Sequence, residues 1–367
     1  MSEMRGVERI WFSDDAAARA ARLALAPLEL AYAGGVALRG ALYDAGVLPS
    51  RVPMLPALSV GNLTVGGTGK TPISAWLAAE LAARGARPAI VLRGYGADEP
   101  LVHQRLNPGM VVIVSPDRLR GIERAATEGA DLAVLDDAFQ HRRSRRAADV
   151  VLVSADSWAS GRGRRLLPAG PWREPLGALR RASLVMVTRK AASLEVAREA
   201  LNEVGLAAPG VPATIVHLAL GEMHRVGPED DTAPVRVASL SGRRVVAISA
   251  IGDSGAFVKQ LIAAGATVHA RSFPDHHSFT AEEAARLGSA AALTDDSDGV
   301  REDAELREDA ELPLFICTLK DAVKLAQLWP REAPPLWYVS QQPILEGGHS
   351  AVDPLLSTML SARHRQP

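Results

Sequence analysis

The residues with the most chemistry in them lie between Val60 and Pro72, VGNLTVGGTGKTP. Glycines at 66, 67 and 69 let successive backbone N–H groups point into one concavity, which suits a phosphate. Lys70 follows and can reach the β- and γ-phosphates of a nucleoside triphosphate, and the Thr71 hydroxyl can hold Mg²⁺. Thr64, Val65, Gly66, Gly67, Thr68, Gly69, Lys70 and Thr71 are the candidate binding segment. The spacing G-x-x-x-x-G-K-[ST] would place glycine at 64, where this chain has Thr64. A glycine-rich turn with a surface lysine would share this composition. A phosphate-binding P-loop also requires a strand before it and a helix behind it, whose N-terminus adds partial positive charge. Both are present: residues 57–60 form an apolar run, and residues 73–84 carry a helical pattern.

Other candidate groups stand at the ends of further apolar runs. Residues 89–92 lead into RGYGADEP, which contains Asp98 and Glu99. Residues 132–135 end in Asp136-Asp137, an acidic pair that a P-loop protein can use to hold Mg²⁺ directly or through water. Runs at 110–114, 150–154 and 184–188 add strands, with a helix expected over 119–128. Strands alternating with helices predict a parallel, doubly wound α/β sheet, whose ligands sit at the carboxyl ends of strands. The basic stretches HRRSRR (141–146) and GRGRRLLPAGPWREP (161–175) read either as solvated surface or as an anion-binding rim.

A second α/β unit is expected from about Arg236. It holds strands at 245–250, 267–270, 314–317 and 336–339 and the loop FPDHHSFT. Thr280 and Glu283 form a capping-box pattern, which places Asp275, His276 and His277 just before a helix. Asp275-His276 is a candidate carboxylate–imidazole pair, His277 reads as structural, and Asp321 as a helix N-cap. The acidic stretch 295–312, with REDAEL twice in tandem, reads as an exposed insertion.

The chain has 367 residues, 47% hydrophobic and 23% charged, with net charge −1. That composition is globular and gives no global field favouring nucleic acid. One cysteine, Cys317, excludes an intrachain disulfide, and its apolar neighbours point to a buried thiol. The N-terminus does not read as a secretory signal, because Asp14-Asp15 precede the apolar part. Leu23 to Leu38 is apolar but for Glu29, contains Pro27, and is shorter than the roughly 20 residues of a spanning helix. Leu25, Leu28, Tyr32 and Val36 form a stripe flanked by Arg19, Arg22 and Arg39. The stripe fits either a helix packed on the protein's own core or one lying on an anionic membrane. The expected organisation is an N-terminal helical segment (1–50), a P-loop core (51–235), a second α/β domain (236–345) and a C-terminal tail or helix (346–367).

VGNLTVGGTGKTP, RGYG, DEP, LDDAFQHR, RLLPAGPWREP, the IGD loop, FPDHHSFT and KDAVKL occur in the order found in tetraacyldisaccharide 4′-kinases, and the chain resembles that family from about Trp11 to Val339. The resemblance implies transfer of the γ-phosphate of ATP, with Mg²⁺, to the 4′-hydroxyl of a tetraacylated glucosamine disaccharide 1-phosphate, a step of lipid A biosynthesis. It also implies a peripheral protein at the cytoplasmic face of the inner membrane, and so tips the 23–38 segment towards membrane contact. Its implied partners are the acylated disaccharide and the membrane surface, with no nucleic acid and no evident protein partner.

Matched motif by motif, Lys70 and Thr71 are phosphate and metal contacts, Asp98 the catalytic aspartate, and Glu99 an acidic residue of the metal region. Asp136 and Asp137 are the acidic pair, His141 the histidine of their motif, and Arg118 and Arg173 arginines near substrate or phosphates. His276 is the histidine that works with the catalytic aspartate. The chain departs from the family pattern in having only Ala97 between RGYG and DEP, Ala138 after the acidic pair, and Leu319 before Lys320-Asp321. The competing readings are a membrane-associated P-loop ATPase switch without a lipid acceptor and a soluble small-molecule kinase or ligase.

Overall fold

The structure is a computed structural model and describes residues 6–94, 96, 98–158, 164–227, 233–289 and 312–363. The tandem REDAEL stretch up to Glu311, Tyr95, Ala97 and residues 161–163 of the basic stretch lie outside the described residues. The chain divides into two compact units, residues 3–218 with 343–367, and residues 219–342.

The larger unit opens with two helices, α1 (Gly6–Phe12) and α2 (Ala16–Asp44). It continues as β1 (Ala57–Asn62), α3 (Lys70–Ala83), β2 (Pro88–Leu92), α4 (Asp98–Leu106), β3 (Val111–Val114), α5 (Arg118–Thr127) and β4 (Leu132–Asp136). Next come β5 (Ala148–Ser154), α6 (Ala155–Trp158), β6 (Leu184–Arg189), α7 (Leu194–Ala207) and β7 (Ala213–Arg225), whose C-terminal half belongs to the smaller unit. The strand order is β3-β2-β4-β1-β5-β6-β7, and these pairings are parallel. This is the doubly wound sheet that the sequence predicts.

The strands lie between helices on both faces and read as continuous apolar runs for that reason. Alternation sorts their side chains: Leu58, Val60, Leu132 and Val134 pack with Ile73, Leu77 and Leu81 of α3, while Ala133 and Leu135 pack with Ile122 and Ala125 of α5. A C-terminal helix, Asp353–Arg363, adds Leu355, Leu356 and Met359 to the α3 side.

The N-terminal apolar segment forms one 29-residue helix that continues through Pro27. It is longer than the run read from the sequence, and it is long and apolar enough to cross a membrane by length and composition. Asp15 caps it, accepting from the Ala18 N–H at 2.7 Å. Polar bonds fix one side of α2 to the larger unit. Glu29 accepts from the Leu166 N–H at 2.7 Å, and the Tyr32 hydroxyl donates to the Arg173 carbonyl at 3.0 Å. Arg39 donates to the Gln140 carbonyl at 2.8 Å, and Arg142 to Asp44 at 2.6 Å. Leu25, Tyr32 and Val36 are half-buried on this side, whereas Leu23, Leu28, Leu30 and Leu38 are each more than half exposed. Three of the four stripe residues thus face inward, while Leu28 faces out with Leu23, Leu30 and Leu38.

The smaller unit contains β8 (Arg244–Ser249), α8 (Ser254–Ala263), β9 (Thr267–Ser272), α9 (Ala281–Leu287), β10 (Leu314–Thr318), α10 (Leu319–Leu325) and β11 (Leu336–Leu345), which returns the chain to the larger unit. Here β11, β10, β8 and β9 are neighbours in that order, again in parallel. The capping box at Thr280 and Glu283 forms as expected. Asp321 is not the N-cap of α10: Thr318 is, and Asp321 is buried, its carboxylate accepting from the Ala250 N–H at 3.0 Å and the Thr318 hydroxyl at 2.6 Å.

Gly61 shows how closely β1 is packed. A Cβ there would lie 2.5 Å from the Cβ and 2.9 Å from the backbone N of Phe139. Gly61→Ala is therefore expected to lower stability by about 1–3 kcal/mol through overpacking. Urea denaturation would register it as a lower midpoint at unchanged slope.

Candidate nucleotide-binding site

The candidate phosphate loop leaves β1 at Asn62 and enters α3 at Lys70. Gly66 and Gly69 take φ of +116° and +88°, which other residues rarely adopt. Gly69 also has no room for a side chain, because a Cβ would meet Leu218 Cδ1 at 2.2 Å. Helix α3 starts at Lys70 and not at Ile73, so Lys70 and Thr71 sit in its first turn, where backbone N–H groups are unpaired by the helix.

The loop is braced from the side by Asn62 and Arg173. Asn62 Nδ2 donates to the Thr68 hydroxyl at 2.8 Å, and its Oδ1 accepts from Lys70 Nζ at 3.5 Å and from Arg173 Nη2. Arg173 Nε also donates to the Thr64 carbonyl at 3.2 Å. The LLPAGPWREP segment runs beside the loop entry, with the Val65 N–H on the Pro171 carbonyl at 2.8 Å and the Arg173 N–H on the Leu63 carbonyl at 2.7 Å. That segment is thus a positioned wall and not a solvated loop.

The acidic pair splits into two environments. Asp136 is buried, and its carboxylate accepts from His103 Nε2 at 2.9 Å, Ser74 Oγ at 3.1 Å and Thr71 Oγ1 at 3.3 Å. Burial pushes this carboxyl up, but His103, Lys70 and Ser74 outweigh burial and hold it below the ordinary carboxylate range. Asp137 follows in a left-handed conformation, φ +50°, which turns its side chain the other way. Its Oδ1 lies 3.2 Å from Arg173 Nη2 and 3.9 Å from Lys70 Nζ. An anionic oxygen thus already occupies the point where two cations converge.

Asp98 is the first residue of α4 and is buried, with Glu99 half-buried beside it. Arg118 turns inward: its Nη atoms donate to the carbonyls of Ser115 at 2.9 Å and Asp136 at 3.2 Å. It braces the end of β4. Burial and the charges of Arg118 and Arg146 push the pKa of His141 down.

In the smaller unit, His276 has a left-handed backbone, φ +60°, with its N–H on Asp275 Oδ1 at 3.0 Å. The two side chains do not pair directly, since His276 Nε2 is 3.9 Å from Asp275 Oδ2. Lys320 bridges them, 3.2 Å from Asp275 Oδ1 and 3.3 Å from His276 Nε2. His277 is structural as expected, bonded to Glu283 at 3.2 Å and packed against Phe273 and Phe279.

Asn62, Ser74, His103 and Lys320 are among the contributors that the sequence reading did not assign. Asn62 had a signal, being the polar last residue of a buried strand. His103 and Lys320 had none, because only tertiary packing brings each to its partner.

A glycine-rich loop between a buried strand and a helix, with lysine, threonine and a strand-end aspartate gathered at its mouth, defines a P-loop protein of the parallel α/β class. The profile of the family LpxK, tetraacyldisaccharide-1-P 4′-kinase, matches residues 21–360, and the chain belongs to that family. It is 41% identical over 342 residues to the tetraacyldisaccharide 4′-kinase of Anaeromyxobacter sp. (strain Fw109-5), covering 81% of this chain and 88% of that one. It is 34% identical over 380 residues to that of Halorhodospira halophila, covering 97% and 98%. A crystal structure of LpxK from Aquifex aeolicus in complex with ATP superposes with TM-score 0.67 at 27% identity, covering 93% of this chain and 99% of that one.

His103→Leu removes a buried donor from Asp136 while nearly conserving volume. It is expected to cost about 1–3 kcal/mol of stability. A denaturation midpoint equal to that of the parent would show that Ser74 and Thr71 satisfy the carboxylate alone.

Proposed function

We propose that this protein transfers the γ-phosphate of ATP to the 4′-hydroxyl of a tetraacylated glucosamine disaccharide 1-phosphate. The observation that carries the reading is the match of residues 21–360 to one kinase family, with the P-loop, Asp98 and Asp136-Asp137 all at carboxyl ends of strands. The ATPase-switch alternative has no comparable support, because the relatives matched across the chain are named as kinases.

The roles follow from charge. Lys70 and Arg173 neutralise phosphate oxygens, and the incoming nucleotide competes with Asp137 for them. Backbone N–H groups of the loop and the first turn of α3 supply further donors. The donor set at the mouth is hydroxyl and carboxylate oxygen, which suits Mg²⁺. Thr71, Asp137, Asp136 and Glu99 are the residues to hold it, with Asp136, already satisfied by three donors, suited to a water-mediated contact. Bound there, the ion neutralises charge on the β- and γ-phosphates.

A sugar hydroxyl needs a base close by, and a carboxylate at its ordinary pKa of about 3.9 is a weak one. Asp98, the first residue of α4, accepts the proton, and His276 is the second catalytic residue, as the family resemblance implies. Arg173 stands on the phosphate side beside the loop, Arg118 acts through the Asp136 carbonyl that it holds, and His141 is the substrate-side residue that the resemblance implies.

The test is label transfer from ATP to the acylated disaccharide in mixed micelles. Lys70→Ala is expected to lower the rate about 10²–10³-fold. Asp98→Ala and His276→Ala should each lower kcat strongly, and the double variant should be scarcely worse than either, since residues acting as a unit are non-additive. ATP hydrolysis with no label in the lipid would favour the switch reading instead.

We further propose that α2 lies on the membrane at the cytoplasmic face of the inner membrane, where ATP and the lipid meet. Bonds at Glu29, Tyr32, Arg39 and the Gly40 carbonyl hold the inner side of α2, so the leucine face is left for the interface, and the helix lies on the bilayer without crossing it. Burying a large apolar side chain contributes roughly 1.5–3 kcal/mol. Leu30→Asp with Leu38→Asp should therefore abolish vesicle flotation while thermal stability is retained. Unchanged flotation would place the contact elsewhere.

A further inference from the structure

The phosphate loop is held on a second side by residues that lie far from it in sequence. Lys190, just past the end of β6, is 7% exposed, and its Nζ donates to the Gly67 carbonyl at 2.7 Å. Two residues earlier, the buried Thr188 hydroxyl donates to the Thr68 carbonyl at 2.9 Å. The backbone beneath the lysine is fixed in turn. Asp156 of α6 accepts the N–H groups of Lys190 at 2.7 Å, Ala191 at 2.8 Å and Ala192 at 2.8 Å.

We propose that Lys190 and Thr188 are positioning residues for nucleotide binding: they draw two successive loop carbonyls towards β6 and so set which way the loop's amides face. The inference rests on the reading of this loop as the nucleotide site.

The physical reason is the geometry of the peptide unit. In a trans peptide the carbonyl of one residue and the N–H of the next point in opposite directions. Pinning the Thr68 carbonyl towards β6 turns the Gly69 N–H to the opposite side. Pinning the Gly67 carbonyl fixes the Thr68 N–H, which closes on the Gly66 carbonyl at 3.0 Å. A loop rich in glycine has no side chains with which to choose between peptide orientations, and glycine tolerates either. A flipped peptide would present a carbonyl oxygen to a phosphate, replacing an attraction with a repulsion. The choice of a lysine also matters. An ammonium taken out of water is costly unless well bonded, and packing alone would be served by an aliphatic side chain. Placed under the loop, its charge adds to the field that favours an anion above it.

The test uses the full-length protein and reads nucleotide binding, so it does not depend on the lipid. Calorimetry with ADP and with a non-hydrolysable ATP analogue is compared across variants at fixed Mg²⁺, alongside thermal unfolding. Lys190→Met is expected to weaken both nucleotides by about tenfold or more, the loss of a charge-assisted hydrogen bond. Thr188→Val should weaken them several-fold, and Thr188→Ser, which keeps the hydroxyl, should restore binding. Because both act on one loop, the double variant should lose less than the product of the two. In steady state the loss should fall on KM for ATP, with KM for the lipid unchanged. Lys190→Met with parental nucleotide affinity would overturn the proposal, whether or not its unfolding temperature falls. Should Lys190→Met fail to fold, the Thr188→Val and Thr188→Ser pair decides, equal affinities overturning it. A parent protein that binds neither nucleotide would sink the nucleotide-site reading itself, an outcome distinct from equal binding by parent and variants.

Discussion

The structure turns on a contradiction inside residues 64–69. A loop that wraps a phosphate with backbone amides must be rich in glycine, and a glycine-rich loop cannot hold its own shape. Its shape is therefore imposed from outside. Asn62 holds it from the strand below, Arg173 holds the Thr64 carbonyl, and Lys190 and Thr188 hold the carbonyls of Gly67 and Thr68 on the other flank. Leu218 leaves no space at Gly69. Each of these residues sits on or beside β1, β6 or β7, or within the second basic stretch. The sheet order brings those elements together around a loop they are distant from in sequence.

Charge follows the same logic. Lys70 and Arg173 converge beside the loop, and Asp137 between them offsets their mutual repulsion. Asp137 reaches them because its left-handed backbone turns it away from Asp136. Asp136 keeps its charge in a buried place by accepting from His103, Ser74 and Thr71. The two adjacent aspartates thus stand in different surroundings, one buried beside Thr71, the other against Arg173 and near Lys70.

Helix α2 joins this network physically. Its Tyr32 bonds to the carbonyl of Arg173, the residue whose guanidinium holds Thr64 and Asp137, and its Glu29 holds Leu166 in the same segment. The helix that carries the exposed leucines is thus two hydrogen bonds from the phosphate loop.

Much of this was legible in the sequence. Apolar strand runs, the glycines at 66, 67 and 69, Lys70-Thr71, Asp136-Asp137 and the Thr280 capping box are local patterns, and local patterns set local structure. Their order along the chain also carried the family. What the sequence left open was set by contacts between distant segments. It could not show which side of α2 faces out, because Leu25 and Leu28 are equally apolar, and only the partners of Glu29 and Tyr32 choose the inward face. Nor could it show that Arg118 braces β4, that His103 meets Asp136, that Lys320 bridges Asp275 and His276, or that Lys190 grips Gly67. A hydrogen bond needs its two atoms within about 3.5 Å, and for residues 18 to 123 positions apart only the folded chain brings them that close.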